Sequence, residues 1–146
     1  MSTENYKALV HRIVEEGFNQ RNFALFDEVI APDFVHHDPD TPDVRNAADY
    51  KQWVINNNNA FPDFHLTIDD LFSEGDRVVT RWTFHGTNTG DIVTPMPLPA
   101  TGKQVTVSGI TISRFDGEKL AEDWHLADTI AFMQQLGVIP APEQVA

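Results

Sequence analysis

The sequence predicts an α+β fold in which N-terminal helices pack on one face of a curved antiparallel sheet. Over the first sixty residues, apolar side chains recur every three or four positions, which is the helical period. From Phe64 onward they alternate with polar ones, which is the strand period. Helices that precede strands, instead of alternating with them, are typical of α+β proteins. The 146 residues suit a single domain, expected to span residues 1–146.

Two helices are expected before residue 31. Ser2 or Thr3 can cap the first, and its apolar stripe contains Tyr6, Leu9, Val10, Ile13, Val14 and Phe18. Asn22 is the expected N-cap of a short second helix over Phe23 to Ile30, and Pro32 is expected to stop it.

Residues 36–43 are predicted to form a loop, because prolines and acidic residues punctuate them. The loop begins with the neighbouring residues His36 and His37. Adjacent side chains in an extended segment point to opposite sides, so these two are not expected to share a metal ion, and no metal motif supports one. Either histidine could reach the mouth of a cavity, or simply form hydrogen bonds within the loop.

A third helix is predicted from Asn46, with Asp49 placed three residues later as a capping-box partner, up to Pro62. Its apolar stripe contains Tyr50, Trp53, Val54 and Phe61. Asn57 lies within that stripe, so its amide either lines a cavity and binds a ligand carbonyl or satisfies a buried backbone group.

Four strands and a closing helix are expected next. Turn signals at Glu74-Gly75-Asp76 and at Asp116-Gly117 predict two hairpins. The strands are predicted over 64–72, 78–85, 105–115 and 120–128, and the helix over 130–136 with Gly137 as its stop.

A two-residue turn at Asp116-Gly117 would place Trp124 opposite Gly109, with room for the indole ring. One mostly apolar face would then carry Glu122, Trp124 and Asp128, while Asp123 and His125 would lie on the other. A carboxyl group in such surroundings suits general acid/base catalysis. Asp128 could equally be the N-cap of the closing helix, and Glu122 an ordinary surface residue.

The first hairpin places Asp70 beside Arg81, directly or on the diagonal. This pair is either a structural ion pair or leaves Arg81 to bind a carboxylate or enolate oxygen. Four aromatic residues belong either to the core or to the wall of a cavity for a small apolar ligand: Trp53, Phe64, Trp82 and Trp124.

Composition excludes several classes of function. Ten basic against 22 acidic residues give a net charge of −12, which argues against nucleic acid and anionic membranes as partners. The chain has no cysteine, so disulfides, thiolate metal sites and cysteine nucleophiles are ruled out. It has neither a secretory signal pattern nor a long apolar run, and a cytoplasmic location is expected.

The order and spacing of several motifs resemble the SnoaL-like polyketide cyclases. These motifs lie at 61–65, 74–78, 81–82, 86–90, 99–103, 114–119, 122–128 and 134–137. The resemblance implies a cone-shaped barrel of the nuclear-transport-factor-2-like superfamily, with a pocket between helices and sheet. It also implies ring closure of a polyketide by intramolecular aldol condensation, without metal or cofactor.

In that family an aspartate is the general acid/base, and the Trp-x-x-x-Asp motif carries this role to Asp128. A family histidine corresponds to His36 or His37. The expected function is therefore a cofactor-independent cyclase, lyase or isomerase acting on a small apolar carbonyl compound, as a homodimer. A non-catalytic binding protein with the same pocket and a structural or oligomerisation module are the alternatives, since fold alone does not settle function.

Overall fold

The computed structural model describes residues 3–141. Its four α-helices are α1 (Thr3–Arg12), α2 (Ala24–Val29), α3 (Ala47–Ala60) and α4 (Thr129–Gln135). Its five strands are β1 (Ile30–His37), β2 (His65–Glu74), β3 (Arg77–Thr87), β4 (Gln104–Asp116) and β5 (Lys119–Ala127). No helix in this part of the chain is long and apolar enough to cross a membrane.

The strands form one curved sheet in the order β1-β5-β4-β3-β2, with the N-terminal helices packed against it. The predicted α+β class is therefore confirmed. The sheet stays open, because β1 and β2 are its edges and do not pair with each other. It is also mixed, since β1 runs parallel to β5 while the other pairs are antiparallel.

Strand β1 occupies residues that the sequence had suggested to be helix and loop. The second helix ends at Val29 instead of Ile30, and the strand then runs through Pro32 to His37. Proline is compatible with an edge strand, where its missing N–H need not pair. The N-cap position of α2 is Phe23, not Asn22, whose backbone carbonyl accepts from Leu25 N–H at 3.1 Å.

The first predicted helix is confirmed, and its last part widens into a π-helical segment over Ile13–Asn19. Of its two proposed caps, Ser2 lies outside the described residues and Thr3 is already helical. The side-chain amide of Asn19 forms hydrogen bonds with the backbone of Leu66 in β2. It donates to the carbonyl at 2.9 Å and accepts from the N–H at 2.8 Å. It thereby covers part of the open edge at β2.

Helix α3 has the predicted cap. The side-chain oxygen of Asn46 accepts from the backbone N–H of Asp49 at 2.9 Å. The helix ends at Ala60, before Phe61 and Pro62, as expected from the proline. Its buried face includes Tyr50 and Val54.

The two hairpins differ in how well their register was predicted. In the first, Gly75 and Asp76 form the turn, and a bulge brings Asp70 opposite Arg81 as expected. In the second, the turn residues are Gly117 and Glu118, one position later than predicted. A register irregularity then shifts the pairing, so that Phe115 pairs with Leu120 but Arg114 with Glu122.

This shift reverses the faces of β5, because neighbouring residues of a strand point to opposite sides. Asp123 and His125 face the helices, while Glu122 and Trp124 lie on the outer face, contrary to the prediction. Gly109 does make room for an indole ring, but for that of Trp82. A Cβ atom at position 109 would lie 2.2 Å from Cζ2 of that ring.

Candidate active site in the cavity between helices and sheet

A cavity of about 170 Å³ lies between the helices and the inner face of the sheet. Most of its wall is apolar, and this part includes Val14, Phe18, Trp53, Phe64, Trp82 and Val107. The volume is on the scale of the roughly 150 Å³ cavity that holds benzene in an engineered protein. Polar groups make up the smaller part of the wall, where they can orient a ligand.

The most buried polar contact at this cavity joins His36 of β1 to Asp123 of β5. Their Nδ1 and Oδ1 atoms are 2.5 Å apart, and their side chains are 0 % and 2 % exposed. The two residues are direct partners in the parallel β1–β5 ladder. Asp123 lines the cavity, while His36 lies behind it among the rings of Phe34, Tyr50 and Trp53.

Two further carboxylates stand at the cavity wall. Asp38 accepts from the backbone N–H of Asp40 and from the Thr41 hydroxyl, both at 2.9 Å. Asp40 in turn accepts from the hydroxyl of Thr129. These bonds fix the turn after β1, and the Asp38 carboxylate also lies 3.9 Å from Nε2 of His36. Within residues 3–141, no three histidine or acidic side chains are arranged to hold a metal ion.

His125 is the other titratable group on the sheet wall. Its ring stacks on Trp82 with centroids 5.2 Å apart and meets Trp53 edge-on at 5.4 Å. Its Nδ1 lies 3.1 Å from the Thr111 hydroxyl oxygen. Burial lowers the pKa of His125, against the opposing effect of the charges of Asp38 and Asp123.

Tyr50 packs against the buried pair. Burial raises the pKa of its phenol well above its ordinary value, and the nearby Asp123 charge adds to this effect. The phenol is therefore neutral at physiological pH and cannot serve as a base there. It lines the cavity and packs from α3 against the His36 ring, with ring centroids 5.2 Å apart.

Four of the residues singled out in the sequence lie on the cavity wall: Trp53, Asn57, Phe64 and Trp82. His36 reaches the site through Asp123. The structure thus distinguishes between the two adjacent histidines, since the side chain of His37 is 44 % exposed and points outward.

The remaining candidates lie away from the cavity. His37 stacks on Trp124 and its Nε2 is 2.7 Å from Glu122, which also accepts from Arg114 at 3.1 Å. The His37 hydrogen bond, followed by that of Arg114, lowers the pKa of Glu122. These contacts form on the outer face of the sheet.

Arg81 and Asp128 do not line the cavity, and their contacts are with neighbouring parts of the fold. The Arg81 side chain is 55 % exposed, and its Nη1 is 3.9 Å from the carboxylate of Asp69, so it forms at most a loose ion pair with a neighbour of the expected Asp70. Asp128 is the N-cap of α4 and accepts from the N–H of Ala131 at 3.1 Å. It is exposed and does not line the cavity.

Sequence reasoning thus did not place Asp123 and His125, the two titratable residues of β5 on the cavity wall, among the site residues. Both had been assigned to the opposite face of β5 because the pairing irregularity between Arg114 and Phe115 was not anticipated. One signal was available in the sequence. Asp123 and His125 are two positions apart, so any register that buried one would bury both.

The fold and this wall define a class of protein: α+β proteins in which helices pack on an open curved sheet around an apolar cavity. The chain belongs to the SnoaL-like polyketide cyclase family, whose model matches residues 8–136.

Solved structures agree with the family assignment. TsrD from Streptomyces laurentii is 26% identical, with 95% of this chain and 99% of that one covered and a TM-score of 0.83. A proposed polyketide cyclase from Acidithiobacillus ferrooxidans is 34% identical over 94% of this chain and 99% of that one, with a TM-score of 0.80. AclR from Streptomyces galilaeus, a proposed hydroxylase, is 26% identical over 98% and 87% of the two chains, with a TM-score of 0.83. The comparison with curated protein sequences gives no significant match.

Proposed function

We propose that this protein is a cofactor-independent acid/base enzyme that acts on a small apolar carbonyl compound, with Asp123 as the catalytic group. The observation that carries the proposal is a buried carboxylate on the wall of an apolar cavity, held by His36 at 2.5 Å. A carboxylate in such surroundings is suited to take a proton from carbon and to return it. The role that the family motif suggested for Asp128 is thereby transferred to Asp123.

In the proposed reaction, an Asp123 oxygen removes a proton alpha to a ligand carbonyl, and the electron pair moves onto the carbonyl oxygen as an enolate. The enolate carbon then attacks a second carbonyl of the same molecule, forming the new carbon–carbon bond and an alkoxide. Asp123 returns its proton to that alkoxide. Protons and electrons are conserved over these steps, so the reaction is an intramolecular aldol reaction that needs no redox partner. The relatives described as polyketide cyclases support this type of substrate.

The first half of this reaction can be measured by itself. 2-Tetralone, a neutral bicyclic ketone, would exchange its alpha protons in D₂O on the enzyme, and NMR follows their loss. Asp123→Asn is expected to lower the exchange rate by about 10²–10⁴-fold, because the amide cannot act as base. Asp128→Asn is the matched control, and it should retain the rate because asparagine also caps helices well.

The reverse pattern, with exchange lost in Asp128→Asn and kept in Asp123→Asn, would return the catalytic role to Asp128. Tight binding of the ketone with exchange at the uncatalysed rate in the wild-type protein would favour the alternative of a non-catalytic binding protein.

We also propose that the protein is a homodimer formed through the outer face of the sheet. Ile110 and Leu126, direct partners on that face, are 49% and 63% exposed, which is unusual for neighbouring large apolar side chains. Sedimentation equilibrium should give the mass of two chains, and Leu126→Lys should shift it toward that of one. A monomeric wild-type protein at micromolar concentration contradicts this proposal.

A further inference from the structure

Three hydrogen-bonding groups follow one another on the sheet wall beside Asp123. The indole Nε1–H of Trp82 donates to the Thr111 hydroxyl oxygen at 3.0 Å. The same oxygen lies 3.1 Å from Nδ1 of His125. Trp82, Thr111 and His125 belong to the adjacent strands β3, β4 and β5, so the contacts cross the sheet from strand to strand.

The number of protons available determines the direction of these bonds. An indole N–H can only donate, so the Thr111 oxygen is an acceptor toward Trp82. The hydroxyl of Thr111 has one proton of its own, and Nδ1 of His125 is its other hydrogen-bond partner in the described chain. The oxygen has two lone pairs, but among the described residues its own proton finds an acceptor only if the hydroxyl donates to an unprotonated Nδ1. The proton of a neutral His125 ring then resides on Nε2.

We infer that Thr111 and Trp82 hold His125 as the neutral Nε2–H tautomer, and that this N–H is a hydrogen-bond donor for the carbonyl oxygen of a ligand in the cavity. Thr111 and Trp82 are positioning residues in this arrangement, and His125 is the group that touches the ligand. The lowered pKa of His125 favours the same neutral ring.

The location of His125 matches what an enolate-forming site needs. It lines the cavity, and no hydrogen-bond partner of Nε2 occurs among the described residues. Asp123 and His125 are two positions apart on β5, so their side chains leave the same face at Cα atoms about 7 Å apart. A carbonyl oxygen at His125 can therefore have its alpha carbon toward Asp123. A neutral donor polarises the carbonyl without transferring its proton. This last step rests on the proposed function, whereas the tautomer does not.

The tautomer can be read directly by ¹⁵N NMR on ligand-free protein labelled at histidine, with His125→Gln identifying the ring among the six histidines. In the wild type, Nδ1 should resonate as an unprotonated ring nitrogen and Nε2 as a protonated one. Thr111→Val should mix the two tautomers, and Thr111→Ser, which keeps the hydroxyl, should restore the wild-type spectrum.

Thr80 offers a matched control. It lies opposite Thr111 in the β3–β4 register, it is buried, and its hydroxyl has no hydrogen-bond partner within residues 3–141. Thr80→Val therefore makes the same chemical change on the neighbouring strand and should leave the His125 nitrogen shifts as in the wild type.

A protonated Nδ1 in the wild-type protein, or an unchanged tautomer in Thr111→Val, overturns the inference, whatever the exchange rate of Asp123→Asn. In the exchange assay, Thr111→Val should lower kcat for 2-tetralone by about 10-fold with little change in KM. An intact tautomer together with full exchange in Asp123→Asn would instead overturn the proposed function alone.

Discussion

Replacing His36 with phenylalanine is expected to lower the free energy of unfolding by about 3–5 kcal/mol. An aromatic ring is kept beside Phe34 and Tyr50, although phenylalanine is somewhat larger, but the hydrogen bond to Asp123 is lost. The carboxylate would then be buried without its charged or donating partner, and that desolvation is the main source of the loss. Urea unfolding measures the change as a lower midpoint at an unchanged slope.

His37→Phe is the matched control for this experiment. It makes the same substitution one residue later, at a side chain that is 44% exposed and bonds Glu122 on the outer face. A change of less than about 1 kcal/mol is expected there, as for other exposed ion pairs. The double variant His36→Phe/Asp123→Leu should regain most of the lost stability, since a buried pair replaced by apolar groups is often neutral. A loss below about 1 kcal/mol in His36→Phe itself would contradict the assigned pairing.

Asn88→Asp is expected to destabilise the protein by about 3 kcal/mol or more, although the two side chains have nearly the same shape. Asn88 is fully buried, and its amide nitrogen donates to the carbonyls of Gly90 at 2.8 Å and Ala60 at 3.3 Å. A carboxylate can donate to neither, and it would place a charge against two carbonyl oxygens. In the wild type, the side-chain oxygen of Asn88 accepts from the backbone N–H and the hydroxyl of Thr101. One side chain therefore holds both ends of the loop after β3.

The comparison for this variant is Asn59→Asp, which makes the same change at an exposed position in the last turn of α3. The free energy of unfolding is expected to fall there by a few tenths of a kcal/mol, because the new negative charge lies at the helix C-terminus, where the helix dipole is negative. Both proteins would be unfolded in urea under the same conditions. Equal midpoints for the two variants would show that the Asn88 amide does not hold the loop.

These bonds also explain one of the sequence motifs. Residues 86–90 are one of the motifs that resemble the SnoaL-like cyclases, and the structure shows why their residue types are constrained. Besides the Asn88 bonds, a Cβ atom at Gly90 would lie 2.1 Å from the Asn59 carbonyl oxygen. The motif therefore reflects packing of the loop against the end of α3.

Local rules were sufficient for much of the fold. Helical periodicity predicted the first helix, the Asn46 cap and Pro62 bounded α3, and Gly75 placed the first hairpin. Each of these features depends on residues a few positions apart, whose side chains meet backbone groups of the same segment. The same rules also identified Asp128 as a possible N-cap, and it is one.

The candidate site depended on pairings between distant segments. Strand β1 is recognisable only through its ladder with β5, because Pro32 and the acidic residues after His37 are equally typical of a loop. The contact between His36 and Asp123 joins residues 87 positions apart, and no spacing rule relates such positions.

The sequence by itself determined the fold class, the order of most elements and an acidic chain without cysteine, whose available catalysts are carboxylates and histidines. Only the tertiary structure decided which of these groups face the cavity. The irregular pairing between Arg114 and Phe115 exchanges the two faces of β5, whereas the one-residue shift of the turn alone would have kept them. Because strand side chains alternate, that small difference moves Glu122 outward and brings Asp123 and His125 inward.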